Sequence, residues 1–214
     1  RIGTNASTGG AGTNQITNAS SGLRTISIAG TFGDTGDVSV YLITEDQVSI
    51  SATVAQALTF SLSSTTIGFG TLSASNVRFA SNDSAGAVVP TTAHNLQAST
   101  NASNGYAITV KGPTLTSGGS SITAIGGSNT AIASGTEQFG VRFSSSGGSG
   151  GVVAPYAASG YAYGADSTTT SQIASSTVPS DTTTYNATYI ANISTLTEAG
   201  SYTTALTYVA TANY

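Results

Sequence analysis

The sequence predicts an all-β fold, an antiparallel β-sandwich of the jelly-roll type. Short runs in which apolar and polar residues alternate recur along the chain, and this period of two is typical of half-buried strands. Clusters of Gly, Ser and Asn separate the runs, and no segment sustains the period of an amphipathic helix. A parallel β-solenoid is the competing all-β architecture, but the chain shows no fixed repeat period that would indicate one.

The composition indicates an extracellular protein. Hydrophobic residues make up 38% of the 214 residues, whereas charged residues make up only 7%. An ordinary globular protein has roughly 25% charged residues. The surface predicted from this composition is neutral and rich in hydroxyl groups, which suits a secreted or assembled protein.

Charge and cysteine content exclude several kinds of partner and site. Five basic residues stand against nine acidic ones, and the net charge of -4 gives no positive surface for nucleic acid. Without cysteine the chain can form neither disulfides nor thiolate metal sites. No apolar run is long enough for a membrane span, so we expect none in the mature chain. No signal segment opens the sequence, so in a secreted protein we expect Arg1 to be a processed end, unless it is an artificial boundary.

The N-terminal part of the chain consists of a polar tail and two predicted strands. Residues 1–23 are mostly Gly, Ser, Thr, Asn and Ala and should not fold alone. Alternation then predicts two strands on either side of a turn at residues 33–36. Their apolar positions are Ile26, Ile28, Phe32, Val38, Val40 and Leu42. We therefore predict an N-terminal extension over residues 1–43, followed by a single β-sandwich domain over residues 44–214.

The first part of the predicted sandwich is organised around a hairpin. Alternating apolar residues over 48–62 predict strand structure, and residues 67–72 predict a short strand with a bulge at its glycines. Residues 81–93 are predicted to form a loop. Two alternating runs within residues 94–112 flank a loop at residues 101–105 that ends in Asn-Gly, and this arrangement predicts a β-hairpin.

The second part of the predicted sandwich contains weaker and stronger strands in alternation. Residues 144–151 have the composition of a flexible linker, but the strands on both sides continue one pattern, so we predict no domain boundary there. The last two strands are predicted to be joined by a turn at residues 198–200. Residues 152–165 and 171–174 are predicted to form short strands or loop. The other predicted strands of this part lie at residues 122–125, 131–133, 138–143, 184–193 and 201–214.

Two of these stretches resemble a known family. Residues 104–110 (NGYAITV) and 202–209 (YTTALTYV) resemble the two signature strands of WxL domains, with tyrosine where that family has tryptophan. The resemblance covers roughly residues 48–214. It implies a secreted bacterial sandwich that is attached non-covalently to the cell wall, and it implies that Tyr106 and Tyr208 are buried packing residues. The core signature that it marks is Tyr106, Ile108, Tyr202, Leu206 and Tyr208.

The histidine and the acidic residues are predicted to have structural roles and not catalytic ones. His94, the only histidine, has no acid motif beside it and is predicted to be structural or exposed, so we predict no enzyme and no cofactor. Asp34 and Asp37, joined by Glu45 and Asp46, have the oxygens for a Ca²⁺ site, but a solvated turn is the preferred interpretation because the pattern of a calcium loop is missing.

Three further features have two interpretations each. Lys111, the only lysine, could form an isopeptide bond if it were buried, but an exposed charge at a strand end is preferred. The tyrosines at positions 156, 161 and 163 could line a sugar-binding surface, but core or interface packing is preferred. Candidate glycosylation triplets, which arise readily in a chain of this composition, begin at Asn5, Asn18, Asn82, Asn101, Asn186 and Asn192.

The pattern as a whole predicts a structural subunit of an extracellular filament or pilus. The N-terminal segment is similar to that of filament subunits that exchange a strand with a neighbour. We predict that the apolar positions of the extension are donated to a second copy of the chain, which makes the partner a homopolymer. Two alternatives stay open: these strands complete the same subunit's own sandwich, or the protein is a cell-wall-binding or glycan-binding module or a surface-layer component.

Overall fold

The computed structural model describes residues 20–31, 33–44 and 47–214. Expectations that concern the polar tail, Phe32, the acidic pair Glu45 and Asp46, and the triplets at Asn5 and Asn18 therefore lie outside the described residues. All regular structure within the described residues is β-strand, which confirms the predicted all-β class. That part of the chain contains no helix with the length and hydrophobicity that a membrane crossing requires.

The chain divides into two compact units, Arg1–Val54 and Ala55–Tyr214. The sequence placed the corresponding boundary after residue 43. The first unit contains the strands β1 (Gly22–Ala29) and β2 (Thr35–Leu42), which pair as an antiparallel hairpin. The connection lies between Ala29 and Thr35, so only Gly33 and Asp34 of the predicted turn at residues 33–36 belong to it, and Thr35 and Gly36 are already paired with Ala29 and Ile28.

The second unit is an antiparallel β-sandwich. Its strands are β3 (Leu58–Leu62), β4 (Arg78–Phe79), β5 (His94–Thr100), β6 (Tyr106–Lys111), β7 (Thr116–Ser117), β8 (Ser120–Ser121), β9 (Gly126–Thr130), β10 (Gln138–Gly147), β11 (Gly151–Val152), β12 (Tyr161–Tyr163), β13 (Ser171–Ser176), β14 (Ser180–Asn192) and β15 (Thr207–Ala212). One sheet has the order β3-β5-β14-β10-β12-β9, with β4 also paired to β14, and the other has the order β11-β13-β6-β15. The strands β7 and β8 form a separate small ribbon.

The core lies between the two sheets and is rich in tyrosine. Side chains from β6 and β13 of the four-stranded sheet meet side chains from β5, β10 and β14 of the seven-stranded sheet in one buried cluster. The fully buried aromatic rings include Tyr106, Phe139, Tyr163, Tyr185 and Tyr189. Since the chain has neither tryptophan nor methionine, these rings supply most of the large core volume.

The predicted hairpin over residues 94–112 is wrong in its pairing, although both of its strands exist. β5 pairs with β3 and β14, whereas β6 pairs with β13 and β15 in the opposite sheet. The loop between them is an arch that carries the chain across the core, with Ala102 buried inside it. Alternation identifies a strand with one buried face, but it does not identify the neighbouring strand with which it pairs. The turn predicted at residues 198–200 is found earlier, between Ser194 and Thr197, and the strands on its two sides, β14 and β15, belong to different sheets.

Several weak or linker-like segments also differ from the predictions. Residues 67–72 form no strand, and this segment is fixed instead by the Arg78 guanidinium, which donates to the carbonyl oxygens of Phe69 (3.1 Å) and Ala85 (2.8 Å). Residues 122–125 and 131–133 lie outside the strands as well. Residues 144–147, in contrast, continue β10 and pair with β14. The long neighbouring strand β14 imposes this extended conformation on a Ser- and Gly-rich sequence, so local composition gives the wrong answer.

Candidate assembly interface

The β1–β2 hairpin has one apolar face and one mainly polar face. On the apolar face, Ile26 lies opposite Val38, and Val40 lies opposite the long side chain of Arg24. Ile28 and Leu42 extend the same face at its two ends. The polar face carries the Thr25–Ser39 pair, whose hydroxyl oxygens are 3.3 Å apart, and the Ser27–Asp37 pair. Its end next to Gly22 carries the exposed Leu23–Tyr41 pair. The structure therefore brings the described members of the predicted donor segment onto a single surface.

That apolar face is not covered within the described part of the chain. Ile26, Ile28 and Val38 are 55 to 57% exposed and Val40 is 42% exposed, while Leu42 is half-buried. A two-stranded hairpin is only marginally stable in water and needs packing against its apolar face. The hairpin therefore presents a surface that is suited to a partner.

A second uncovered apolar stripe follows the hairpin. Residues 47–54 (QVSISATV) belong to no strand of the described structure, and Val48, Ile50 and Val54 are 86, 89 and 85% exposed. Ala52 completes the stripe, and the intervening positions are Ser or Thr. The predicted strand structure over residues 48–62 is therefore wrong for this stretch, because only Leu58–Leu62 of that range forms a strand within the described residues.

The chain is anchored where it enters the sandwich. The Asn101 side chain donates to the carbonyl oxygen of Ala55 (2.7 Å) and accepts from the backbone N–H of Ala57 (2.8 Å). The Thr100 hydroxyl donates to the carbonyl oxygen of Ala57 (2.8 Å). These bonds fix the start of β3 beside the end of β5, at the boundary of the exposed stripe.

A cleft of about 990 Å³ opens at the other end of β3. Its walls are residues 62–72 and 197–206, two segments that are far apart in the sequence. The apolar side chains of the walls include the half-buried Ile67, Phe69, Leu72 and Leu206 and the exposed Leu62. Sequence reasoning missed this cleft because only the packing of the two sheets brings its two walls together.

The floor of the cleft is a buried aromatic network. His94 is 6% exposed, its ring stacks on Tyr189 with a centroid distance of 5.6 Å, and its Nε2 lies 2.9 Å from the Tyr189 hydroxyl. The Tyr189 hydroxyl also contacts the Tyr208 hydroxyl. Burial lowers the pKa of His94 and raises the pKa values of both tyrosines, so all three groups are neutral at physiological pH.

The predicted signature residues divide into two groups. Tyr106 and Ile108 are fully buried, and the Tyr106 hydroxyl lies 2.8 Å from the Tyr185 hydroxyl across the two sheets. Tyr202, Leu206 and Tyr208 are half-buried and line the cleft. Tyr208 therefore packs on the floor network through its hydroxyl end but keeps part of its ring surface accessible.

The remaining sequence candidates occupy structural positions. Tyr156, Tyr161 and Tyr163 are at most 2% exposed, which is the packing role that the sequence favoured and leaves no sugar platform at these rings. Lys111 is exposed at the end of β6, and the exposed Asp34 and Asp37 flank Thr35 and Gly36 of the hairpin. Among the described residues, no three His, Asp or Glu side chains converge as a metal site would require.

The candidate glycosylation triplets in the described residues differ in accessibility. Asn82 is exposed and Asn186 is half-buried. Asn192 is 1% exposed, and its side chain donates to Gln138 Oε1 at 2.9 Å. Asn101 is exposed, but its amide holds the chain at Ala55. Asn82 is therefore the acceptor position that the fold leaves most accessible.

Comparisons with family models, with curated proteins and with solved structures found no match for this chain. The resemblance to WxL domains therefore stays a prediction that rests on the two quoted stretches.

Proposed function

We propose that this chain is a structural subunit of an extracellular filament and that it polymerises by donating its N-terminal region to a neighbouring copy. The observation that carries the proposal is the uncovered apolar face of the β1–β2 hairpin, centred on Ile26 and Val38. An uncovered face of this kind marks an interaction surface. The partner in the proposal is a second copy of the same chain.

The energetics indicate that the hairpin does not act alone. Full burial of a Val, Leu or Ile side chain contributes about 1.5–3 kcal/mol. Covering the exposed half of Ile26, Ile28, Val38 and Val40 would therefore contribute about 3–6 kcal/mol. Association costs about 4–15 kcal/mol in lost translational and rotational freedom. The hairpin face by itself falls at or below this cost.

The stripe after the hairpin supplies the missing contribution. Val48, Ile50 and Val54 are almost fully exposed, and their burial would add about 4–8 kcal/mol. Together the two apolar surfaces match the cost of association, and backbone hydrogen bonds of an added strand would contribute further. The proposal therefore uses the whole region from β1 to Val54 as the donor.

The proposed contact leads to a fibre because donor and acceptor are different surfaces. A contact between unlike surfaces is heterologous, and its repetition gives an open chain of subunits unless the rotation closes a ring. The low charge of the protein, with five basic and nine acidic residues, keeps electrostatic repulsion between stacked copies small. The same composition supports the extracellular location.

The alternative of a cell-wall-binding or glycan-binding module has less support. The three tyrosines that the sequence offered as a sugar platform are buried in the core. A wall-binding module also gives no reason for an uncovered apolar hairpin. We therefore retain only the filament subunit as the proposed function.

The proposal is tested with full-length protein by electron microscopy and light scattering. Wild-type protein is expected to form filaments. Ile26→Asp places a charge on the apolar face and should abolish them, because burying an unpaired carboxylate is costly. The matched control is Thr25→Asp, which places the same charge on the polar face one residue away, and its filaments should be unchanged.

Two results would contradict the proposal. Wild-type protein that stays monomeric across the tested concentrations would exclude a self-assembling subunit. Equal assembly of the Ile26→Asp and Thr25→Asp variants would exclude the hairpin face as part of the contact.

A further inference from the structure

Two open sheet edges meet beside the cleft. Within the described residues, β3 pairs only with β5 and β15 pairs only with β6, so each is the edge strand of its own sheet. The two edge strands lie against each other on one side of the sandwich. Leu62 at the end of β3 and Leu206 just before β15 both line the cleft. The cleft thus lies where an additional strand would continue the sandwich.

The exposed stripe has the chemistry of such a strand. Residues 47–54 contain no charged residue, and apolar positions alternate with Ser and Thr. An extended strand rises about 3.3 Å per residue, so this segment spans about 26 Å. One face would present Val48, Ile50, Ala52 and Val54, and the opposite face would present hydroxyl groups.

The lining of the cleft is complementary to this segment. Its ionisable residues are His94 and Glu198, together with the floor tyrosines and Tyr202. His94 is kept neutral by burial, and Glu198 is exposed and accepts from the Ser120 hydroxyl. An uncharged apolar stripe therefore meets apolar walls and a neutral floor without leaving a charge buried and unpaired.

We propose that the cleft between residues 62–72 and 197–206 receives residues 47–54 of a second copy of this chain as an added strand. This inference rests on the proposed filament function and names the donor strand and the acceptor site. The apolar side chains point onto the floor, and Ser49, Ser51 and Thr53 point to solvent. The backbone of the segment pairs with an open sheet edge, which gives direction to the contact.

The anchor of the chain favours a second copy over the same chain. Asn101 holds Ala55 and Ala57 at the start of β3, whereas the cleft begins at Leu62, at the opposite end of this strand. Residues 47–54 are thus attached at the end of β3 that is remote from the cleft. To reach the cleft, the segment of the same chain would have to turn back along β3 directly at this anchor. The segment of a neighbouring copy can enter the cleft without this reversal.

The first experiment compares two charge substitutions in the full-length chain. Ile50 and Ser51 are adjacent and both exposed, so neither Ile50→Asp nor Ser51→Asp disturbs a packed core. Ile50→Asp should raise the critical concentration for assembly by about tenfold or more, because its charge faces the cleft. Ser51→Asp should leave the critical concentration within about twofold of the wild-type value.

The second experiment uses the absence of cysteine from the chain. Ile50→Cys protein is mixed with affinity-tagged Leu62→Cys protein under oxidised glutathione, and disulfide-linked dimers are identified by mass spectrometry. A high yield of mixed dimers is expected. The matched control mixes Ser51→Cys protein with the Leu62→Cys protein and should give a low yield, because position 51 faces solvent.

The outcomes separate this inference from the proposed function. Wild-type filaments together with normal assembly of Ile50→Asp would overturn the strand insertion and leave the filament subunit standing. Wild-type protein that never assembles would overturn the filament function itself. A single chain that carries both Ile50→Cys and Leu62→Cys and closes on itself as a cross-linked monomer would show that the cleft takes its own segment, and would overturn insertion between copies.

Discussion

The hydroxyl pair of Tyr106 and Tyr185 offers a direct measurement of how the two sheets are held together. Both side chains are fully buried, and their hydroxyl oxygens lie 2.8 Å apart. Tyr106 belongs to the four-stranded sheet and Tyr185 to the seven-stranded sheet. Tyr106→Phe removes one hydroxyl and leaves the other buried without this partner, which should lower the free energy of unfolding by about 1–3 kcal/mol. Burial also raises the pKa of Tyr185, so its hydroxyl stays protonated throughout the assay.

The assay is urea unfolding, carried out at a protein concentration at which light scattering detects no aggregates. With an m value of about 2 kcal/mol/M, a loss of about 2 kcal/mol lowers the midpoint by about 1 M urea. The double variant with Tyr106→Phe and Tyr185→Phe should lose less than the sum of the single losses, because removing both hydroxyls leaves no buried orphan. The control is Tyr202→Phe. The wild-type Tyr202 hydroxyl donates to the Glu198 carbonyl oxygen at the surface, so its removal should change the stability by at most about 0.5 kcal/mol.

Strictly additive losses in the double variant would refute this reasoning. So would a Tyr106→Phe variant that is as stable as the wild type. Either result would mean that the two hydroxyls do not depend on each other, and that the sheets are held together by packing alone.

Three more predictions concern stability. Because burial lowers the pKa of His94, the unfolded chain binds a proton that the folded chain does not, so the free energy of unfolding should fall as the pH drops below about 6.5. Urea midpoints measured from pH 7.5 to 5 should show this slope, and His94→Phe should flatten it. An equal slope in both proteins would contradict the assignment to His94. Gly105→Ala should lower the melting temperature, because φ is +70° and the new Cβ would lie 2.2 Å from the Ser176 carbonyl oxygen. The control is Gly118→Ala, where φ is +58° but no atom lies within 4 Å of the new Cβ, and its melting temperature should fall less. Equal decreases would rule out the clash as the cause. Tyr208→Ala should cost about 3–5 kcal/mol in urea unfolding, as large aromatic truncations do, and a loss below about 1 kcal/mol would show that the accessible ring carries little packing.

The sequence was most informative where a strand has one buried face. The alternation over β5 and β6 identified both strands, and the structure buries the predicted inward positions from Leu96 to Val110. The same alternation located β1 and β2, although it placed the turn between them partly within β2. Where composition was the main signal, as in residues 144–147, the local pattern predicted a linker and the paired neighbour β14 imposed a strand.

The candidate interface was predictable in part. The apolar positions of the hairpin and the stripe at residues 47–54 were visible as alternation, because a period of two needs only neighbouring residues. The cleft was not visible, because its walls at residues 62–72 and 197–206 are far apart in the chain. No local pattern in one wall carries information about the other.

The sequence by itself therefore determined which segments are extended and which side chains need cover, because these properties depend on alternation within a few residues. Only the tertiary structure decided which strands pair and which apolar faces are covered. Backbone hydrogen bonds are nearly the same for any antiparallel partner, so pairing follows from packing between residues that are distant in sequence. That packing covers Tyr106 and Ile108, and within the described residues it leaves Ile26, Val38 and Ile50 exposed.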